Sequence, residues 1–176
     1  MRALRSLYDQ AVGSMGLEHV NHIERDGVLP IAFSLFHITN MIDTSMMLLN
    51  GEAPLWNDAW QARLQMGIAD HGKHRTVEEM DDQQIGDYGA FIEYMTAVFD
   101  RVEAYLATLR VEELTRVIFT HPFPPQIATT YSARVAGPEG ITVLDGIECW
   151  IYQHGLRHMG EIELARGLVG LGGMTS

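Results

Sequence analysis

Three histidines in this chain sit where histidine is unusual. His154 and His158 belong to the run His154-Gly155-Leu156-Arg157-His158. Residues four apart share one face of a helix, with Cβ atoms about 6 Å from each other, so two imidazoles so placed can share one cation. Spacing alone says little: with 8 His in 176 residues, chance supplies roughly 0.4 such pairs. The face carries more weight. Leu144, Ile147, Ile151, His154, His158, Ile162 and Ala165 follow one stripe at steps of three and four. The pair therefore interrupts a core-facing stripe instead of decorating a solvated one.

His37 is the third. It lies on the line Ser34, His37, Met41, Ser45, Leu48 within a stretch that is otherwise apolar on nearly every side. A lone histidine in such a place is ordinarily satisfied by one hydrogen bond from a neighbour. Three imidazoles buried without partners would cost about 1–3 kcal/mol each, a large part of a domain's net stability. One divalent ion meeting His37, His154 and His158 removes that cost. Periodicity alone leaves both readings open, a metal site and a set of core histidines. Three neutral imidazoles with an open fourth position are the arrangement of a catalytic zinc site, and they also suit nickel, iron or manganese. Ligand histidines must be neutral, so protons are expected to compete below the reference pKa of ~6.5.

Other candidates read as structural. Glu161, one turn past His158, fits a salt bridge or a solvated position, with orienting a ligand or acting as a base as the functional alternative. His19 and His22 read as an exposed or rim pair. His71 and His74 fall in a polar connection, with a place at the mouth of the site as their alternative role. Cys149 lies five residues before His154, off the ligand stripe, and reads as structural. Tyr152, Arg157 and residues 121–125 read the same way, again with the mouth as alternative. The ten methionines read as core filler.

The elements that must position these residues are four long helical stretches. In the first, Leu4, Tyr8, Ala11 and Met15 recur at helical spacing, with a break at residues 24–27 that implies an antiparallel hairpin. The second covers residues 30–49, with Pro30 suited to its first turn and Asn50-Gly51 to its stop. A helix apolar all round is central to its bundle. The connection over residues 51–84 is long enough to cross the bundle and let helices two and three run parallel. Within it Thr76 and Glu79 have capping-box spacing. The third helix carries Tyr88, Phe91, Ile92, Met95, Val98, Phe99, Val102, Tyr105, Leu106 and Leu109 at steps of three and four. A second long connection, over residues 110–141, holds Pro122, Pro124, Pro125 and Pro138 as breakers. The fourth helix runs over residues 142–169, with Thr142 as N-cap. The expected fold is thus an all-α four-helix bundle, one domain over residues 1–176, with long connections after helices two and three.

Composition excludes several function classes. The formal charge of −11, with 12 basic residues scattered among 23 acidic ones, disfavours nucleic acid and anionic membranes as partners. A single cysteine excludes an intramolecular disulfide and any multi-cysteine metal cluster. The stretch from Met1 to Gln10 lacks the apolar core of a secretory signal, and no apolar run reaches ~20 residues. A cytoplasmic protein is expected. No nucleophile triad, phosphate-binding glycine loop or dinucleotide fingerprint is present.

The histidine in Leu35-Phe36-His37-Ile38, together with Tyr152-Gln153-His154-Gly155-Leu156-Arg157-His158-Met159-Gly160-Glu161-Ile162 and the ending Arg166-Gly167-Leu168-Val169-Gly170, resembles the DinB-like superfamily. Its members are metal-binding bundles that include the DinB/YfiT proteins and the N-terminal domain of mycothiol-dependent maleylpyruvate isomerase. The resemblance maps the family's three ligand positions onto His37, His154 and His158. Many members place Arg-Gly-Gln after the last histidine, where this chain has Met159-Gly160-Glu161, so that glutamine has no counterpart here. The resemblance implies one divalent ion, zinc first, and a metal-dependent thiol S-transferase or related hydrolase acting on a small molecule. A low-molecular-weight thiol would be cosubstrate and a homodimer the assembly. The rival reading is a non-catalytic bundle that binds a metal or small ligand.

Overall fold

The structure is a computed structural model, and it describes residues 1–23, 28–72 and 74–174. Helix α1 (Arg2–Gly13) buries Leu4, Tyr8, Ala11 and Val12 along one stripe. A single turn, α2 (Leu17–Val20), comes next and uses His19 locally: its Nδ1 accepts the Gly16 N–H at 3.0 Å. The break expected at residues 24–27 lies outside the described residues. Helix α3 (Ile31–Asn50) starts after Pro30, whose fixed φ suits a helix entrance. It stops at Gly51, which adopts the left-handed φ of 79° and gives its N–H to the Met47 carbonyl, a conformation that costs glycine little. Every residue from Ile31 to Asn40 is buried, as an all-round apolar helix requires.

The connection after α3 holds α4 (Asp58–Leu64), capped by Asn57, and α5 (Val77–Met80), where Thr76 and Glu79 form the expected capping box. Helix α6 (Tyr88–Thr108) is capped by Asp87. Beyond a 3-10 turn at Val111–Thr115, the second connection forms β1 (Val117–Phe119), α7 (Pro125–Ala128), α8 (Tyr131–Val135) and β2 (Ile141–Thr142). The two strands pair antiparallel, Val117 opposite Thr142 and Phe119 opposite Ile141. This ribbon is the one departure from an all-α chain among the described residues, and it is too short to change the fold class.

The last helix is continuous but not uniform. Thr142 caps it, accepting the Asp145 N–H, and α9 (Val143–Gly146) leads into a π segment, Ile147–Tyr152, before α10 (Gln153–Leu168). A π turn inserts one residue relative to an α-helix, which shifts the buried stripe by one position. Val143 is therefore fully buried, whereas Leu144, expected inside, is 48% exposed.

Side-chain contacts fix the helix directions. Arg5 reaches Asp100 and Glu103 while Val12 meets Tyr88, so α1 and α6 are antiparallel. Leu4 and Tyr8 meet Gly155 while Ala11 meets Arg166, so α1 and α10 are parallel. Ser34 meets Glu161 while Leu49 meets Gly146, so α3 opposes the last helix. Helices α3 and α6 therefore run parallel, with the first connection crossing the bundle between them, as its length implies.

Asp43 ties that crossing down. Its side chain is completely buried in α3 and accepts the backbone N–H groups of Leu55 and Trp56 at 2.9 and 2.8 Å. It also receives the Tyr94 hydroxyl at 3.0 Å and the Arg101 guanidinium at 3.1 Å. A buried carboxylate persists only when its lone pairs are filled in this way. Trp56 and Trp60 then pack on Tyr94.

Candidate metal centre

The structure brings His37, His154 and His158 together. One nitrogen from each lies within 4.8 Å of the others, and the rings of His37 and His154 both stand 4.7 Å from that of His158. His37 comes from the second turn of α3, and His154 and His158 from the first two turns of α10. Gly155, between the two α10 ligands, faces the other way. A Cβ there would fall 2.7 Å from the Leu4 side chain, and its carbonyl accepts the Tyr8 hydroxyl at 2.9 Å. Glycine costs a helix interior about 1 kcal/mol relative to alanine, but here it lets α1 dock directly behind the pair.

The second nitrogen of each ring settles what the first can do. His37 Nδ1 is hydrogen-bonded to the His71 carbonyl, His158 Nδ1 to Glu161 Oε2 at 2.6 Å, and the His154 ring to the Trp150 backbone one turn earlier. Carbonyl and carboxylate oxygens only accept, so these rings donate to them and, when neutral, keep a lone pair on the remaining nitrogen. The Nε2 atoms of His154 and His158 face each other at 3.0 Å. Tetrahedral zinc with Zn–N of ~2.0–2.1 Å needs its nitrogens about 3.3 Å apart. The donor chemistry and the close pair both fit a divalent ion, within a set whose nitrogens span at most 4.8 Å.

Glu161, though half-exposed, is more than a solvated surface charge. It holds the His158 ring and also accepts the Ser34 hydroxyl at 3.2 Å, and the His158 contact pulls its pKa below the usual carboxylate value. Carboxylates that orient metal-binding histidines in this manner raise ligand basicity.

Burial drives His37 and His154 toward neutrality. His37 is pushed down to about 4, chiefly by desolvation, and His154 to about 3 by desolvation and then by His158 and His37. For these two, proton competition therefore begins well below the ~6.5 expected from an exposed imidazole. A histidine whose pKa is lower folded than unfolded contributes stability that is intact above the unfolded value and lost as pH falls toward the folded one. The metal-free protein is accordingly expected to lose stability progressively from about pH 6.5 to about pH 3. The denaturant midpoint should fall across that window, and less steeply in a His37→Phe, His154→Phe chain. An equal slope in both proteins would show that these rings are not buried neutral.

A cavity of about 440 Å³ opens beside the cluster. The line on α3 expected from periodicity forms one wall, with Met41, Ser45 and Leu48 alongside His37. His71 and His74 also line it, the alternative role given to that pair. Cys149, Arg157 and Trp150 form the opposite wall, so Cys149 reaches the cavity despite lying off the ligand stripe. Burial raises its thiol pKa, which keeps it protonated and unreactive at neutral pH. Tyr152 and residues 121–125 are not in the wall. The roof comes instead from Gln126, Ile127, Thr130, Tyr131 and Ser132 on α7 and α8. Only the proline run that precedes it marks that roof in the sequence.

A parallel-crossover four-helix bundle with three converging imidazoles, two of which line a cavity, defines an all-α protein able to hold a cation between its second and last long helices. A model of the DinB superfamily matches residues 1–162, and the chain belongs to that superfamily. Among solved structures, a conserved protein from Enterococcus faecalis superposes with a TM-score of 0.74 at 18% identity, covering 96% of this chain and 91% of that one. At that identity the likeness speaks for the fold. No curated protein matches the sequence. Among the described residues, no helix is long and apolar enough to cross a membrane.

Proposed function

We propose that the protein binds one divalent ion, zinc first, through His37, His154 and His158, and that it is a thiol S-transferase or related hydrolase for a small molecule. The observation that carries this reading is the convergence of three imidazoles beside an open cavity that His37 and His154 line, each ring fixed by an acceptor on its far side. When bound, such an ion supplies Lewis acidity sufficient to ionise a thiol or a water near neutral pH. The chain's own residues do the rest. Glu161 and the His71 carbonyl hold the ring protons of His158 and His37 on the outer nitrogens, so the inner ones stay basic. Met41, Leu48, Ile127 and Trp150 give the cavity dry walls, which strengthen electrostatic interactions within it. Cys149 stays a neutral thiol, so the sulfur nucleophile comes from a low-molecular-weight cosubstrate. Small molecules are the partners on this reading, with neither nucleic acid nor membrane, the compartment is the cytoplasm and the assembly a homodimer.

A non-catalytic binding bundle is the second reading. One observation favours it: Glu161 is occupied by His158 and Ser34, and none of the described residues lining the cavity is Asp or Glu, so no carboxylate is free to act as a base. Cobalt substitution separates the two. A low-molecular-weight thiol added to the cobalt protein should produce an intense near-ultraviolet charge-transfer band, absent in His158→Ala and intact in Cys149→Ala. If no thiol gives the band or a conjugation product, the transferase reading is dropped and the binding bundle moves ahead.

A further inference from the structure

Arg157 is a cation with no counter-ion among the described residues. It lies on the exposed side of α10, between the two histidine turns, and lines the same cavity as His37 and His154. Several other arginines are engaged: Arg5 with Asp100 and Glu103, Arg63 with Glu93, Arg75 with Asp70, Arg101 with Asp43 and Glu52. Arg157 makes no ion pair among the described residues. The acid that helical geometry offers it, Glu161 at i+4, is turned to His158 and Ser34 instead. The chain carries a net charge of −11, yet this cavity has no carboxylate among its described lining residues. Gln153, one turn back on the same wall, adds an amide donor. Met41 and Leu48 on α3 and Ile127 in the roof supply apolar lining to the same cavity.

From this juxtaposition we infer that the cavity takes an amphipathic carboxylic acid, its carboxylate held at Arg157 and its apolar body laid along Met41, Leu48 and Ile127. The guanidinium matches a carboxylate with two parallel N–H donors, and a volume of about 440 Å³ suits a small molecule and not a polypeptide segment. A cationic ligand would meet no compensating charge in these walls. Arg157 is on this view a specificity-determining residue of the proposed site. The inference names the substrate class of that site and so rests on its being a small-molecule site, but the carboxylate pole does not require the ion.

Octanoate and octanamide test it, titrated calorimetrically into the full-length chain with metal content measured in parallel. The acid should bind at least about tenfold more tightly than the amide, and Arg157→Gln should lose roughly that tenfold for the acid while leaving the amide unchanged, the scale of a charge-assisted hydrogen bond. Raising the salt concentration should weaken the acid alone. His158→Ala, which disables the proposed ion site, should keep the preference for the acid. Equal binding of acid and amide, no binding of the acid, or full acid affinity in Arg157→Gln would each overturn the inference. So would loss of the preference in His158→Ala, since the carboxylate would then be going to the histidine cluster. Failure of metal binding is read separately, from the metal content.

Discussion

Alanine at His37, His154 or His158 is expected to lower divalent-metal affinity by more than about 100-fold, because replacing even the groups that orient metal ligands costs about 10–100-fold. Glu161→Ala belongs to that milder range: it removes the carboxylate at 2.6 Å from His158 and leaves all three donors in place. His19→Ala should change nothing, since His19 serves the turn at Gly16. His71→Ala should also change little, because its hydrogen bond with His37 is made by the backbone carbonyl, which survives the substitution, and only a ring-edge contact is lost. Elemental analysis after dialysis measures the series. A triple alanine variant that still holds one ion per chain would end the assignment.

Asp43→Ala is expected to destabilise the protein by about 3–5 kcal/mol, the scale for breaking a buried charge network by removing one partner. The loss has several parts. Arg101, with its side chain 12% exposed, would be left with only the exposed Glu52. The Tyr94 hydroxyl would lose its acceptor, and two backbone N–H groups at Leu55 and Trp56 would be stranded at the start of the crossover. Asp43→Asn should cost less, since an amide oxygen still accepts, but its NH₂ would face donors on the other side. Urea denaturation gives the values. Metal stoichiometry should stay unchanged in any Asp43 variant that remains folded, as Asp43 is not in the histidine cluster. A stability loss under about 1 kcal/mol for alanine, the size of one ordinary hydrogen bond, would contradict the role given to this carboxylate.

Much of this architecture was legible because helices announce themselves by period. The four long helices, the Pro30 and Gly51 ends of α3, the Thr76 capping box and the crossover all come from local rules. So does the cluster, since a histidine is conspicuous on an apolar stripe. Most of the misses share a physical cause: they depend on contacts between segments far apart in the chain. The β1–β2 ribbon has strands of three and two residues, too short for alternation to register. The π segment carries no sequence mark, and reading it as ordinary α-helix put Leu144 inside in place of Val143. The roof over the cavity exists only once α7 and α8 fold back onto the last helix. Asp43 did leave a signal, a carboxylate in the middle of a helix otherwise apolar, which ought to be read as a buried hub.

The cluster also joins distant parts of the chain. Ser34 and Glu161, which meet beside it, are 127 residues apart in sequence. Closing so large a loop costs entropy that must be met before any contact across it is gained, and chains with distant pairings fold slowly for that reason. A clasp between α3 and the last helix therefore belongs among the late events of folding. Interactions made after the rate-limiting step leave the folding rate alone and slow unfolding. An ion held there would govern how long each folded molecule survives, more than how quickly a new one forms.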